Sequence, residues 1–109
     1  MSNICKKHNL TSYPSKEQEK LGIALDTIGK LPINGMRVKD ENGTCGWYIW
    51  CGEEYKEDAD FFSPLCVEHI ENYLPDIKEY LDLPLGYRFL LAPNYEDIWE
   101  DKGLLDVAR

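Results

Sequence analysis

The sequence predicts a small single-domain α+β fold. In it, an antiparallel sheet of about four strands carries an N-terminal helix and two short central helices packed against it. Three features predict this. The runs Gly46–Cys51 and Tyr87–Ala92 are almost unbroken in aromatic and aliphatic residues, as covered strands are. The turns beside them are short, which joins antiparallel neighbours. Between them stand Pro64 and Pro75, each placed to open a helix.

Residues 1–14 lack periodicity and read as an irregular arm ahead of a single domain over residues 15–109. A helix is expected from Ser15, because Ser15 and Gln18 have capping-box spacing and Leu21, Ala24, Leu25 and Ile28 form one helical stripe. Gly29 and Pro32 end it. Ile33 to Lys39 reads as a short strand, with Met36 and Val38 on one side and Arg37 and Lys39 on the other. The Asn42-Gly43 pair suits a hairpin turn into the Gly46–Cys51 strand. Both faces of that strand are apolar (Trp47, Ile49 and Cys51 against Tyr48 and Trp50), so it is central or keeps one face for a partner. An acidic loop follows from Gly52 to Phe62. Ser63-Pro64 then opens a helix burying Leu65, Cys66, Ile70 and Tyr73, and Pro75 opens another burying Ile77, Tyr80 and Leu81. After the Tyr87–Ala92 strand, Pro93 to Asp97 turns the chain, and Ile98-Trp99 pairs as a last short strand. Leu104, Leu105 and Val107 let the tail dock.

At 109 residues the chain is one domain long, and 43% apolar with 29% charged residues is an ordinary soluble composition. A domain of this size buries roughly 65% of the surface its unfolded chain exposes. No stretch approaches the roughly 18 apolar residues of a membrane helix. The polar Met1–Leu10 does not read as a signal peptide, so a cytoplasmic location and reduced thiols at Cys5, Cys45, Cys51 and Cys66 are expected. The net charge is −8, and it is unevenly spread. Residues 1–39 carry seven Lys/Arg against three acidic side chains, and residues 40–109 carry five against seventeen. Such a field disfavours nucleic acid and anionic membranes and favours a basic partner.

Metal chemistry has one candidate constellation. Cys5 with His8, and Cys66 with His69, each place a thiol three residues from an imidazole, and together they could give zinc four ligands. Against it, Cys66 and His69 are expected on a helix rather than in a tight knuckle, and the arm must fold back across the chain. No catalytic motif is present: there is no phosphate-binding glycine loop, no GxSxG and no HExxH, and Asp58-Ala59-Asp60 lacks the glycine and closing glutamate of a calcium loop. No cofactor and no enzymatic activity are expected.

Binding has more support. Three Trp, seven Tyr and three Phe exceed what so small a core needs. Several stand beside carboxylates: Trp50 with Glu53 and Glu54, Phe61 after Asp58 and Asp60, Tyr95 before Glu96 and Asp97, and Trp99 before Asp101. Rings supply desolvated contact and charges supply steering, which suits a surface that grips a basic protein.

A set of strings also occurs in one order. Leu31-Pro32-Ile33-Asn34-Gly35, Gly46-Trp47-Tyr48-Ile49-Trp50, Gly52-Glu53-Glu54, Asp60-Phe61-Phe62 and Pro64-Leu65-Cys66-Val67-Glu68-His69 come first. Tyr80-Leu81-Asp82-Leu83-Pro84, Gly86-Tyr87-Arg88-Phe89-Leu90 and Tyr95-Glu96-Asp97-Ile98-Trp99 follow. Over residues 20–106 this resembles the immunity-protein 33-like family of bacterial polymorphic toxin systems. The resemblance implies a cytoplasmic antitoxin that blocks a cognate toxin, a nuclease being one such toxin, and it implies no catalytic residues. Cys66 stands where the family pattern has histidine, which weakens the zinc reading. The oligomeric state is not specified by the sequence.

Overall fold

The computed structural model describes residues 3–40, 43–53, 61–101 and 103–106. The predicted turn residue Asn42, the loop carboxylates Glu54, Glu57, Asp58 and Asp60, and the tail residue Val107 lie outside these, as does the Leu105 side chain.

The Trp47-rich run forms the longest strand and sets the architecture. The strands are β1 (Lys20–Ile23), β2 (Ile33–Arg37), β3 (Thr44–Cys51), β4 (Ser63–Cys66), β5 (Tyr87–Ala92) and β6 (Tyr95–Glu100). They form one six-stranded sheet in the order β4-β1-β3-β2-β5-β6. Strand β3 is internal, which explains its two apolar faces. The sheet is mixed, because β1 runs parallel to β3 while every other pair is antiparallel. Short helices complete the fold: α1 (Asn3–Lys7), the 3₁₀ helices η1 (Leu25–Thr27), η2 (Val67–Asn72) and η3 (Pro75–Asp82), and α2 (Gly103–Asp106).

Two predicted helices begin as strands, the second continuing as the 3₁₀ helix η2, and the sheet therefore has six strands, not about four, and is not wholly antiparallel. Where a helix was expected from Ser15, β1 occurs. Within β1 Leu21 and Ile23 are buried on either side of half-buried Gly22, as a strand requires, and Leu25, which the helical stripe would bury, is 41% exposed. Ser15 caps no helix; its hydroxyl donates to the Leu81 carbonyl at 2.9 Å. Where Ser63-Pro64 was expected to open a helix, β4 pairs with β1 as an edge strand, a place where proline costs no inward hydrogen bond. The turn after it buries Val67 and Ile70 and leaves Tyr73 43% exposed. The N-terminal arm is also not wholly irregular, since α1 places Ile4 and Cys5 in the core.

Helices α1, η2 and η3 lie on one face of the sheet. Their Cys5, Val67, Ile70, Ile77 and Leu81 pack with Leu21, Ile23, Cys45, Trp47, Ile49, Cys51 and Phe89 in one cluster. Burying each large apolar side chain of this kind contributes roughly 1.5–3 kcal/mol. At Gly35 a Cβ would sit 2.2 Å from the Phe89 ring, so the glycine lets that ring cross β2.

In β2 Arg37 takes the opposite side from Met36, as its alternation predicts, and that side is the core: Arg37 is 1% exposed. Its Nε donates to the Cys45 carbonyl at 2.8 Å, and its Nη1 donates to the carbonyls of Tyr13 (2.6 Å), Leu81 (3.1 Å) and Leu83 (2.7 Å). The Tyr13 and Trp47 rings flank it at 4.8 and 5.6 Å. Burial pulls its pKa down, but a guanidinium stays charged. A buried carbonyl stripped of its donor costs about 1–3 kcal/mol, so this one side chain fastens the N-terminal segment, β3 and the end of η3 together.

Candidate functional site

Of the residues singled out by sequence, Trp50, Tyr95, Asp97 and Trp99 lie on the face of the sheet opposite the helices. Strand register builds it. One row crosses all six strands as Pro64, Gly22, Tyr48, Met36, Arg88 and Trp99. The next runs Trp50, Asn34, Leu90 and Asp97, and a third pairs Ala92 with Tyr95. Residues opposite one another in a register share a face, so these side chains form one surface.

Edge strand β6 splits its side chains between the two faces. The chain turns at Pro93 and Asn94, the latter at φ 60°, so Tyr95, Glu96 and Asp97 lie on the strand and not in the turn where they were expected. Tyr95 is 54% exposed and Asp97 is exposed, both on the helix-free face. Trp99, half-buried on the same face, has the Arg88 guanidinium 5.5 Å from its ring, and Arg88 Nη1 pairs with Asp101 Oδ2 at 3.3 Å. The Arg88 contact restrains the indole, so Trp99 has less side-chain entropy to lose on binding.

Glu96 points the other way. Its Oε1 accepts a short hydrogen bond from the Tyr80 hydroxyl of η3, while Oε2 receives Lys7 Nζ at 3.2 Å and faces His8 Nε2 at 3.5 Å. The Tyr80 hydrogen bond, then the Lys7 and His8 contacts, hold its carboxyl below the ordinary range against the opposing effect of partial burial. Burial first, then Glu96, pushes the Tyr80 hydroxyl up. Glu96 thus joins α1, η3 and β6, and a partner would meet it only after breaking those contacts.

Of the other half of the predicted set, Trp50 sits on β3, three strand spacings or roughly 14 Å from β6 across the same face. Trp50 is buried at 5% exposure, with its ring 6.2 Å from Phe62; Tyr48 and Phe61 stand 5.1 and 4.8 Å from Phe62. The position of Gly22 makes room for Tyr48 and Phe62, whose atoms a Cβ there would meet at 2.8 and 3.3 Å. Exposed Glu53 and half-buried Phe61 line an open cleft with Asp26, Thr27, Lys30, Leu31, Cys51 and Gly52. Leu31, 54% exposed on its rim, was not singled out; an apolar residue just before Pro32 carries no sequence signal for exposure.

The four proposed zinc ligands are divided. The Cys5 thiol is buried and donates to the Asp82 carbonyl at 3.3 Å, and His8 stands by Glu96. Among the described residues, the ligand atoms within reach of one another are those of Cys66, Glu68 and His69. No helix among the described residues is long and apolar enough to cross a membrane.

Comparison with known proteins adds one finding. The family model of the Imm33-like domain matches residues 1–101. No curated protein and no solved structure matches.

Proposed function

The chain belongs to the Imm33-like family, whose name marks immunity proteins of toxin systems, and on that premise we propose that it neutralises a basic cognate toxin by docking the outer side of β6 onto it. The observation that carries this reading is the alignment of Tyr95, Asp97 and Trp99 on the exposed face of an edge strand, with Asp101 beside them. Aromatic anchors bracketed by carboxylates supply contact area and charge steering together. The acidic segment from Glu53 to Asp60 adds to the same negative field. A nuclease is the toxin class that matches best, because a phosphate-binding cleft is basic and an acidic protein can occupy it in place of nucleic acid. Blocking needs no catalytic step by the immunity protein and no cofactor.

Co-expression with the cognate toxin tests this. The wild-type chain should restore growth, and the double variant Tyr95→Ala with Asp97→Lys should lose at least tenfold in affinity and fail to protect. Both side chains are exposed, so the fold is unaffected. Full protection by the double variant would remove this surface from the account.

A further inference from the structure

The β4–η2 corner lies at the edge of the sheet opposite β6 and plays no part in the proposed docking. Cys66 ends strand β4, and Glu68 and His69 follow on η2. The sequence objection to a metal site was that Cys66 and His69 would ride on a helix. The structure meets half of it: Cys66 stands at a strand end, off the helix, and only the imidazole, three residues on, rides on the short 3₁₀ helix η2. The Cys66, Glu68 and His69 ligand atoms all lie within 4.8 Å of one another, and His69 Nε2 stands 3.7 Å from Glu68 Oε1. Tetrahedral zinc separates its N, O and S ligands by about 3.3–3.6 Å, so closure needs side-chain rotation alone.

The backbone beneath is fixed. Cys66 pairs with Lys20 in the sheet, the Val67 amide donates to the Glu19 carbonyl at 2.9 Å, and the Glu68 amide donates to the Glu17 carbonyl at 3.2 Å. The sulfur already faces a cation, because Lys20 Nζ lies 3.0 Å from Cys66 Sγ. Lys20 is exposed, so its ammonium can swing aside when an ion binds.

We propose that Cys66, Glu68 and His69 form a binding site for a thiophilic divalent cation, zinc being the best fit, with water as fourth ligand. A thiolate, a carboxylate and a neutral imidazole exactly cancel no more than the ion's two charges, so the loaded site is neutral and tolerates partial burial. Binding releases the thiol proton to solvent. The ion would clamp η2 to the β4–β1 edge.

Titration of the reduced full-length protein with Co²⁺, followed by Zn²⁺ displacement, tests the site. One equivalent of Co²⁺ should give sulfur-to-cobalt charge-transfer absorption that Zn²⁺ abolishes. Cys66→Ser should remove the band, and His69→Ala and Glu68→Gln should each weaken zinc binding at least tenfold. Lys20→Met, which deletes a neighbouring positive charge, should tighten binding several-fold. All four side chains are at or near the surface, and circular dichroism checks that each variant folds. Absence of the band, its persistence in Cys66→Ser, or saturation at half an equivalent, which would place the ion between two copies, would each overturn the proposal.

Discussion

Glu96 shows how one carboxylate can be part of the scaffold while its neighbour Asp97 stays available. Its charged form is bonded by Tyr80, Lys7 and His8, so its folded-state pKa lies below the ordinary 4.5. A depressed carboxylate contributes stability that is fully present above the unfolded value and is lost as pH falls through the folded one. The wild type should therefore lose unfolding free energy as pH falls through 4.5 and on through the lower folded-state value, and Glu96→Gln should show a shallower loss over the same range. Urea denaturation at several pH values measures both slopes, and equal slopes would deny Glu96 this role. Tyr80 works at the other end of the scale: its raised pKa adds stability present below 10 and lost as pH rises further. Nothing in the local sequence separates Glu96 from Asp97. Only the parity of β6 against β5 does, since Glu96 pairs with Leu91 on the helix side and Asp97 with Leu90 on the open side.

At the scale of elements, glycine marks where strands meet. Gly46 and Gly43 both have positive φ, at 88° and 80°, but a Cβ on Gly46 would lie 2.2 Å from the Val38 carbonyl oxygen while one on Gly43 would meet nothing. Gly43→Ala should cost about 1 kcal/mol from backbone conformation alone. Gly46→Ala should cost more than twice that, because the obstacle is backbone and cannot rotate away. Urea midpoints decide it, and equal costs would contradict the close approach. The same scale shows what the sequence could express. Strand β5 and helix η3 have the bounds their residues suggested, because Tyr87–Ala92 alternates cleanly and Pro75 opens a segment that buries Ile77 and Leu81. Strands β1 and β4 were hidden. Each has only four residues, and each is held by a partner distant in sequence, β1 by Thr44–Ile49 and β4 by β1. The apolar spacing of Leu21, Ala24, Leu25 and Ile28 fits a helix equally well, and tertiary pairing overrides it. The burial of Arg37 was hidden for a related reason: its four carbonyl partners come from three separate segments, and none is visible beside it in the chain.

For the whole molecule, the sheet separates two tasks. One face is packed with helices and carries stability; the other presents rings and carboxylates, and the acidic excess of residues 40–109 supplies the field around them. The family assignment was legible because its strings are short, ordered and spread along the chain, and the match over residues 1–101 bears it out. The candidate residues could be picked as types but not as a surface, since composition cannot say that Trp50 is buried or that Glu96 faces inward. The central claim is that the outer side of β6 is what a toxin covers. Hydrogen–deuterium exchange on the toxin complex and on the free protein measures this directly. Binding should slow exchange over Tyr95–Asp101 and leave η2 and η3 unchanged; protection confined to η2 and η3, with β6 exchanging as in the free protein, would contradict it.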